Sequence, residues 1–114
     1  MTDTPTDNRG PQRIQLRRTK GWRKPPGAIV VARPTKWGNH YRISPTMSRA
    51  EAVENYRRWL GTRGHPEGDI VAELRGHDLA CWCPLEDSAG RRMPCHADVL
   101  LELANPEVVF PWSM

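Results

Sequence analysis

Apolar residues along this chain first alternate, then run together, then recur at helical spacing, and those three periods predict its elements. In Arg13-Ile-Gln-Leu-Arg-Arg-Thr19, Ile14 and Leu16 alternate with polar neighbours, the period of a half-buried edge strand. Ala28-Ile-Val-Val-Ala32 is a short β-branched run, as expected for a strand covered on both faces. Residues 33–42 contain Pro34 and the Gly38-Asn39 pair, which predict a loop. Ser48 followed by Glu51 predicts a capping box opening a helix to Leu60, with Ala52, Val53, Tyr56, Trp59 and Leu60 on one stripe and Gly61 as the stop. A shorter helix follows from an Asp69 cap to Arg75, with Ile70, Val71 and Leu74 inward and Gly76 ending it.

Asp78 to Cys83 then reads as a strand with Leu79, Cys81 and Cys83 on one face and Ala80 and Trp82 on the other, terminated by Pro84. The last helix runs from Pro94 or Cys95 to Ala104 and is apolar on most sides, so it is expected to be largely buried. Val108 to Phe110 could add a final edge strand. The order β-β-α-α-β-α over residues 13–114 predicts a small single α/β domain, with a sheet of three to four strands and three helices. Residues 1–12 have no large apolar side chain after Met1 and predict a loose tail, because nothing there offsets the entropy of ordering.

Composition narrows the picture. With 114 residues and 38% apolar content, the chain can build one core and no second one. No stretch approaches the roughly 18 apolar residues of a membrane span, and the N-terminus lacks a signal-peptide pattern, so a cytoplasmic protein with no membrane partner is expected. Three cysteines without an export signal favour free thiols or metal ligands over disulfides. Charge is lopsided. From Arg9 to Arg49 there are eleven basic residues and no acid, whereas residues 51–114 carry six basic and eleven acidic ones. Such a block fits a partner with phosphates, a nucleotide or a nucleic acid, although it could also pair with the acidic half across the fold.

Chemistry concentrates around one strand-to-helix turn, where Cys81, Cys83, Cys95 and His96 all fall. Two mechanisms compete there. A thiol at the start of a helix is easily ionised, so Cys95 could act as a nucleophile or hold an anion, with His96 as acid or base and Cys83 lining the same pocket. Alternatively, Cys81, Cys83, Cys95 and His96 could bind zinc. Spacing argues partly against the metal. Residues i and i+2 of an extended strand lie about 6.5 Å apart, and adjacent residues on a helix project about 100° apart. Buried inert thiols are the structural alternative.

The 33–39 loop leaves the end of a buried strand, where α/β proteins bind ligands. Arg33 and Lys36 could hold phosphate, Trp37 could stack on a base, and Asn39 could read an amide or ribose edge. Equally, Trp37 could plug the core and Gly38-Asn39 could be an ordinary turn.

Arg33-Pro-Thr-Lys-Trp-Gly-Asn39, Tyr56-Arg-Arg-Trp-Leu60, Glu73-Leu-Arg-Gly-His-Asp-Leu-Ala-Cys-Trp-Cys-Pro84 and Cys95-His-Ala-Asp-Val-Leu-Leu101 together resemble a small uncharacterised family met in phages and actinobacteria, domain of unknown function 4326. The Cys-Trp-Cys and Cys-His-x-Asp-Val elements are its most specific signatures, and the resemblance spans nearly everything after residue 12. It implies a common site without naming a substrate. The chain departs from the family pattern in its longer 86–93 loop, which would disturb a rigid four-ligand metal site, and in His40, which stands where the family has proline followed by phenylalanine. The leading expectation is a protein that binds or acts on a nucleotide or nucleic acid at the 95–96 turn and the 33–39 loop. The alternative is a non-catalytic nucleic-acid-binding module, with or without a supporting zinc.

Overall fold

A computed structural model of the chain describes residues 10–113. Three short strands, β1 (Arg13–Gln15), β2 (Ile29–Val30) and β3 (Leu79–Cys81), form one parallel sheet in the order β1-β3-β2. Three helices accompany it: α1 (Arg49–Thr62), α2 (Glu67–Leu74) and α3 (His96–Ala104). The predicted order β-β-α-α-β-α is the observed one.

β3 lies in the middle of the sheet and is buried along its whole length, with Leu79 and Ala80 fully enclosed. Each edge strand pairs with it beyond its own limits, through Leu16 N to Cys81 O and Val31 N to Ala80 O. Parallel pairing sends the carboxyl ends of all three strands to one rim of the sheet, so the segments leaving β2 and β3 start side by side. The strands are shorter than the sequence predicts, because 16–19 and 82–83 turn away from the sheet. Val108 to Phe110 forms no strand; Phe110 is buried and leads into a 3-10 turn at Pro111–Ser113.

α3 is the hub, packing against β1 and β3 on one side and against α1 and α2 on the other. Every residue from His96 to Leu101 is buried, as its nearly continuous apolar character requires. The Ser48/Glu51 capping box opens α1 as predicted, with Glu51 N donating to Ser48 Oγ at 3.1 Å. α1 continues through Gly61 to Thr62 and stops where Gly64 folds back on it: its N–H bonds Trp59 O, and a Cβ there would lie 2.7 Å from the Leu60 Cα. α2 starts two residues before Asp69, which sits in its first turn instead of capping it. Of the expected tail, residues 1–9 lie outside the described residues, while Gln12 is tied to the sheet by its N–H to Asp78 Oδ1 and its carbonyl to Leu79 N.

Arg13 is the least expected member of the core. Its strand position reads as polar and outward, yet the side chain is buried, paired with Asp98 of α3 at 3.1 Å and donating to the carbonyls of Pro84 and Met93 at 3.1 and 2.7 Å. One guanidinium thus joins β1, both ends of the 84–93 loop and the start of α3.

Candidate functional site

The chain leaves β3 at Cys81 and bends through Trp82 and Cys83. That bend turns Trp82 outward, leaving it 44% exposed, and swings Cys83 back toward Cys81, so their sulfurs stand 3.7 Å apart. The separation expected of an extended strand does not apply.

Cys95 also differs from its expected place. It is the N-cap of α3, in extended conformation at φ −149° and ψ 154°, and not a residue of the first turn. Its sulfur accepts the Ala97 N–H at 3.5 Å, and Asp98 accepts the Cys95 N–H at 3.1 Å, which makes a capping box with a thiol in the serine position. An extended cap followed by a helical residue lets Cys95 and His96 face each other, with the Cys95 sulfur 3.5 Å from His96 Nδ1. The 86–93 loop does not splay the cysteines apart. It doubles back on itself through a bridge between Glu86 and Arg92, and Arg13 ties its two ends together.

The sulfurs of Cys81, Cys83 and Cys95 therefore all lie within 4.8 Å of one another, close enough to hold one metal ion. All three cysteines are free. The thiols share protons unequally. Hydrogen bonds from Cys81 and Cys95 hold the Cys83 thiol far below its ordinary range, with the Arg49 guanidinium adding to the effect. Cys95, only 1% exposed, is pushed up by its bonds to the other two sulfurs and by burial, and Cys81 is raised by its bond to Cys83. Cys83 is the least buried of the three and the one whose thiol is held down, whereas Cys95 is the most enclosed and is held up.

Burial holds His96 below the usual imidazole range, so the ring is neutral. Its Nε2 lies 2.7 Å from the Val31 carbonyl oxygen, which can only accept, so Nε2 carries the proton and Nδ1 the lone pair. The ring meets Tyr56 edge-on at 5.1 Å.

These groups form the floor of a cleft of about 490 Å³. Arg33 and Asn39 line it together with Cys95 and His96, so the 33–39 loop and the 95–96 turn share one cavity. Lys36 and Trp37 do not line it. Trp37 is 4% exposed and plugs the core, its carbonyl bonded by the Tyr56 hydroxyl at 2.6 Å, and Lys36 pairs with Glu73 on the surface at 2.8 Å. Asn39 spends both ends of its amide on structure, donating to Ala52 O and accepting from Tyr41 N. The loop closes tightly at Gly38, where a Cβ would lie 2.8 Å from the Arg33 side chain.

Three lining residues were not singled out from the sequence as binding groups: Arg42, Arg49 and Tyr41. Together with Arg33 they give the cleft three guanidinium groups, and no carboxylate pairs with any of them among the described residues. The available signal was the charge block itself, since all three arginines fall within it. Internal pairing accounts for little of that block. From Arg13 to Arg49, only Arg13 and Lys36 meet an acidic partner among the described residues. At the rim, Arg18 stacks over the Trp82 ring at 4.4 Å.

The model of a domain family of unknown function, DUF4326, matches residues 14–106. The chain belongs to that family. No curated protein and no solved structure matches it. No helix among the described residues is long and apolar enough to cross a membrane.

Proposed function

We propose that the cleft binds a nucleoside phosphate, either free or as part of a single strand. The observation that carries this reading is the convergence of Arg33, Arg42 and Arg49, without carboxylate partners among the described residues, on one cleft at the carboxyl rim of a parallel sheet. Guanidinium groups match phosphate oxygens in pairs, and that rim is where parallel α/β folds receive ligands. Tyr41 and Trp82 supply rings on the cleft wall for a base, Trp82 being partly exposed with the Arg18 guanidinium over its ring. A volume of about 490 Å³ suits a mononucleotide-sized group.

Roles divide accordingly. Arg42 and Arg49 hold phosphate, Trp82 stacks, and Arg33 does both structural and binding work, since one of its guanidinium nitrogens donates to Asn39 O at 2.9 Å. Lys36 and Trp37 lie off the cleft, and Asn39, which lines it, has both ends of its amide engaged in holding the loop.

Calorimetric titration with nucleosides, nucleoside phosphates and short single-stranded oligonucleotides tests the reading. Phosphate-bearing ligands bind, nucleosides do not, and the double variant Arg42→Ala/Arg49→Ala loses binding while melting normally. Equal affinity for mononucleotides and oligonucleotides identifies a free nucleotide as the ligand, and binding of oligonucleotides alone identifies a strand. Failure of every phosphate ligand to bind, or binding untouched by the double variant, overturns it.

A further inference from the structure

We infer that Cys81, Cys83, Cys95 and Nδ1 of His96 form a tetrahedral zinc site beneath the cleft. The inference goes beyond phosphate binding and does not depend on it.

Two distances and one upper limit support it. In a tetrahedral site with zinc–sulfur bonds of about 2.3 Å, sulfurs are separated by about 3.8 Å, and a sulfur and an imidazole nitrogen by about 3.6 Å. Cys81 and Cys83 stand 3.7 Å apart, Cys95 and His96 Nδ1 stand 3.5 Å apart, and no two of the three sulfurs are more than 4.8 Å apart.

The surroundings of His96 point the same way. A metal-binding histidine ordinarily donates its second ring N–H to a carbonyl or carboxylate, which fixes the tautomer and aims the lone pair at the ion. The Val31 carbonyl at 2.7 Å performs that task, leaving Nδ1 unprotonated and turned to the Cys95 sulfur. The Cys95 sulfur and Nδ1 stand at the separation that two donors to one zinc require. Thiolate and imidazole donors together select zinc among common divalent ions over magnesium or calcium.

The elements that carry the ligands are fixed independently of any metal. β3 is held on both sides by parallel pairing, the N-cap of α3 by the Asp98 capping box, and the intervening loop by Arg13. The long 86–93 segment is therefore no obstacle to a four-ligand site, because its ends are joined.

The test uses the full chain, purified without chelator, and reads its zinc content and the zinc X-ray absorption fine structure. The expected result is one zinc per chain, with three sulfur neighbours at about 2.3 Å and one imidazole nitrogen at about 2.0 Å. Replacement by cobalt(II) then gives the intense visible bands of a tetrahedral thiolate site, and Cys83→Ser lowers cobalt affinity at least tenfold. His96→Gln shifts those bands. Should that variant fail to fold, the imidazole scattering in the wild-type spectrum decides the fourth ligand. No bound zinc after incubation with one equivalent, fewer than three sulfur neighbours, or absence of an imidazole shell overturns the inference. Nucleotide binding by a zinc-free chain would leave the phosphate reading standing.

Discussion

At the scale of single residues, Arg13 decides whether the site exists. Its side chain is almost sealed from water, and four polar atoms converge on it from three segments. Removing one partner of a buried ion pair strands the other, and typically costs about 3–5 kcal/mol. Asp98 keeps a second partner in Arg92, so Arg13→Met is expected to cost nearer the lower figure in urea unfolding, and to weaken metal retention because the loop ends come apart. Arg49→Ala probes the cleft instead. Loss of one hydrogen bond to a charged group, about 1.5–3 kcal/mol, corresponds to roughly ten- to a hundredfold weaker nucleoside phosphate binding by calorimetry, with little change in the unfolding midpoint. Residues at this scale were unevenly legible. Cysteine count and spacing marked the site, but nothing in an alternating strand pattern announces that Arg13 turns inward. That outcome depends on carbonyls contributed 71 to 80 positions away.

At the scale of elements, caps and bends place the chemistry. The Ser48/Glu51 box was legible because both partners lie within four residues and the bonds are local. Cys95 in the same role was not, since a thiol is an uncommon cap and the pattern alone puts it one position later, inside the helix. Treating Asp78 to Cys83 as one straight strand placed Cys81 and Cys83 too far apart, because the bend at Trp82 depends on where pairing with β1 and β2 runs out. α3 carries most of the packing, so Leu101→Ala is expected to cost about 2–5 kcal/mol in chemical denaturation, the range for deleting a fully buried leucine. Gly38→Ala is expected to displace the 33–39 loop, given the 2.8 Å approach to Arg33, and to weaken ligand binding more than it lowers stability.

At the scale of the whole molecule, a sheet of only three short parallel strands brings the ends of β2 and β3 to one rim, with the basic half of the chain supplying the walls and the acidic half the thiol floor. Fold class and element order were legible, since they follow from periodicity. The sharing of one cleft by the 33–39 loop and the 95–96 turn required the strand order, which no local pattern encodes. Binding of a strand, if that is the ligand, is expected to weaken with added salt at a slope of about 0.7 per phosphate neutralised, so two arginine contacts give a slope near 1.4 in a fluorescence titration across salt concentrations.

Alkylation of Cys83 in metal-free protein, followed by mass spectrometry with and without saturating nucleoside phosphate, joins the cleft to its floor in a single readout. If the arginines and thiols share one site, bound ligand slows labelling of Cys83 severalfold, and the Arg42→Ala/Arg49→Ala variant loses that protection. Labelling at an unchanged rate under saturating ligand would show that ligand and thiols occupy separate places and would contradict the account.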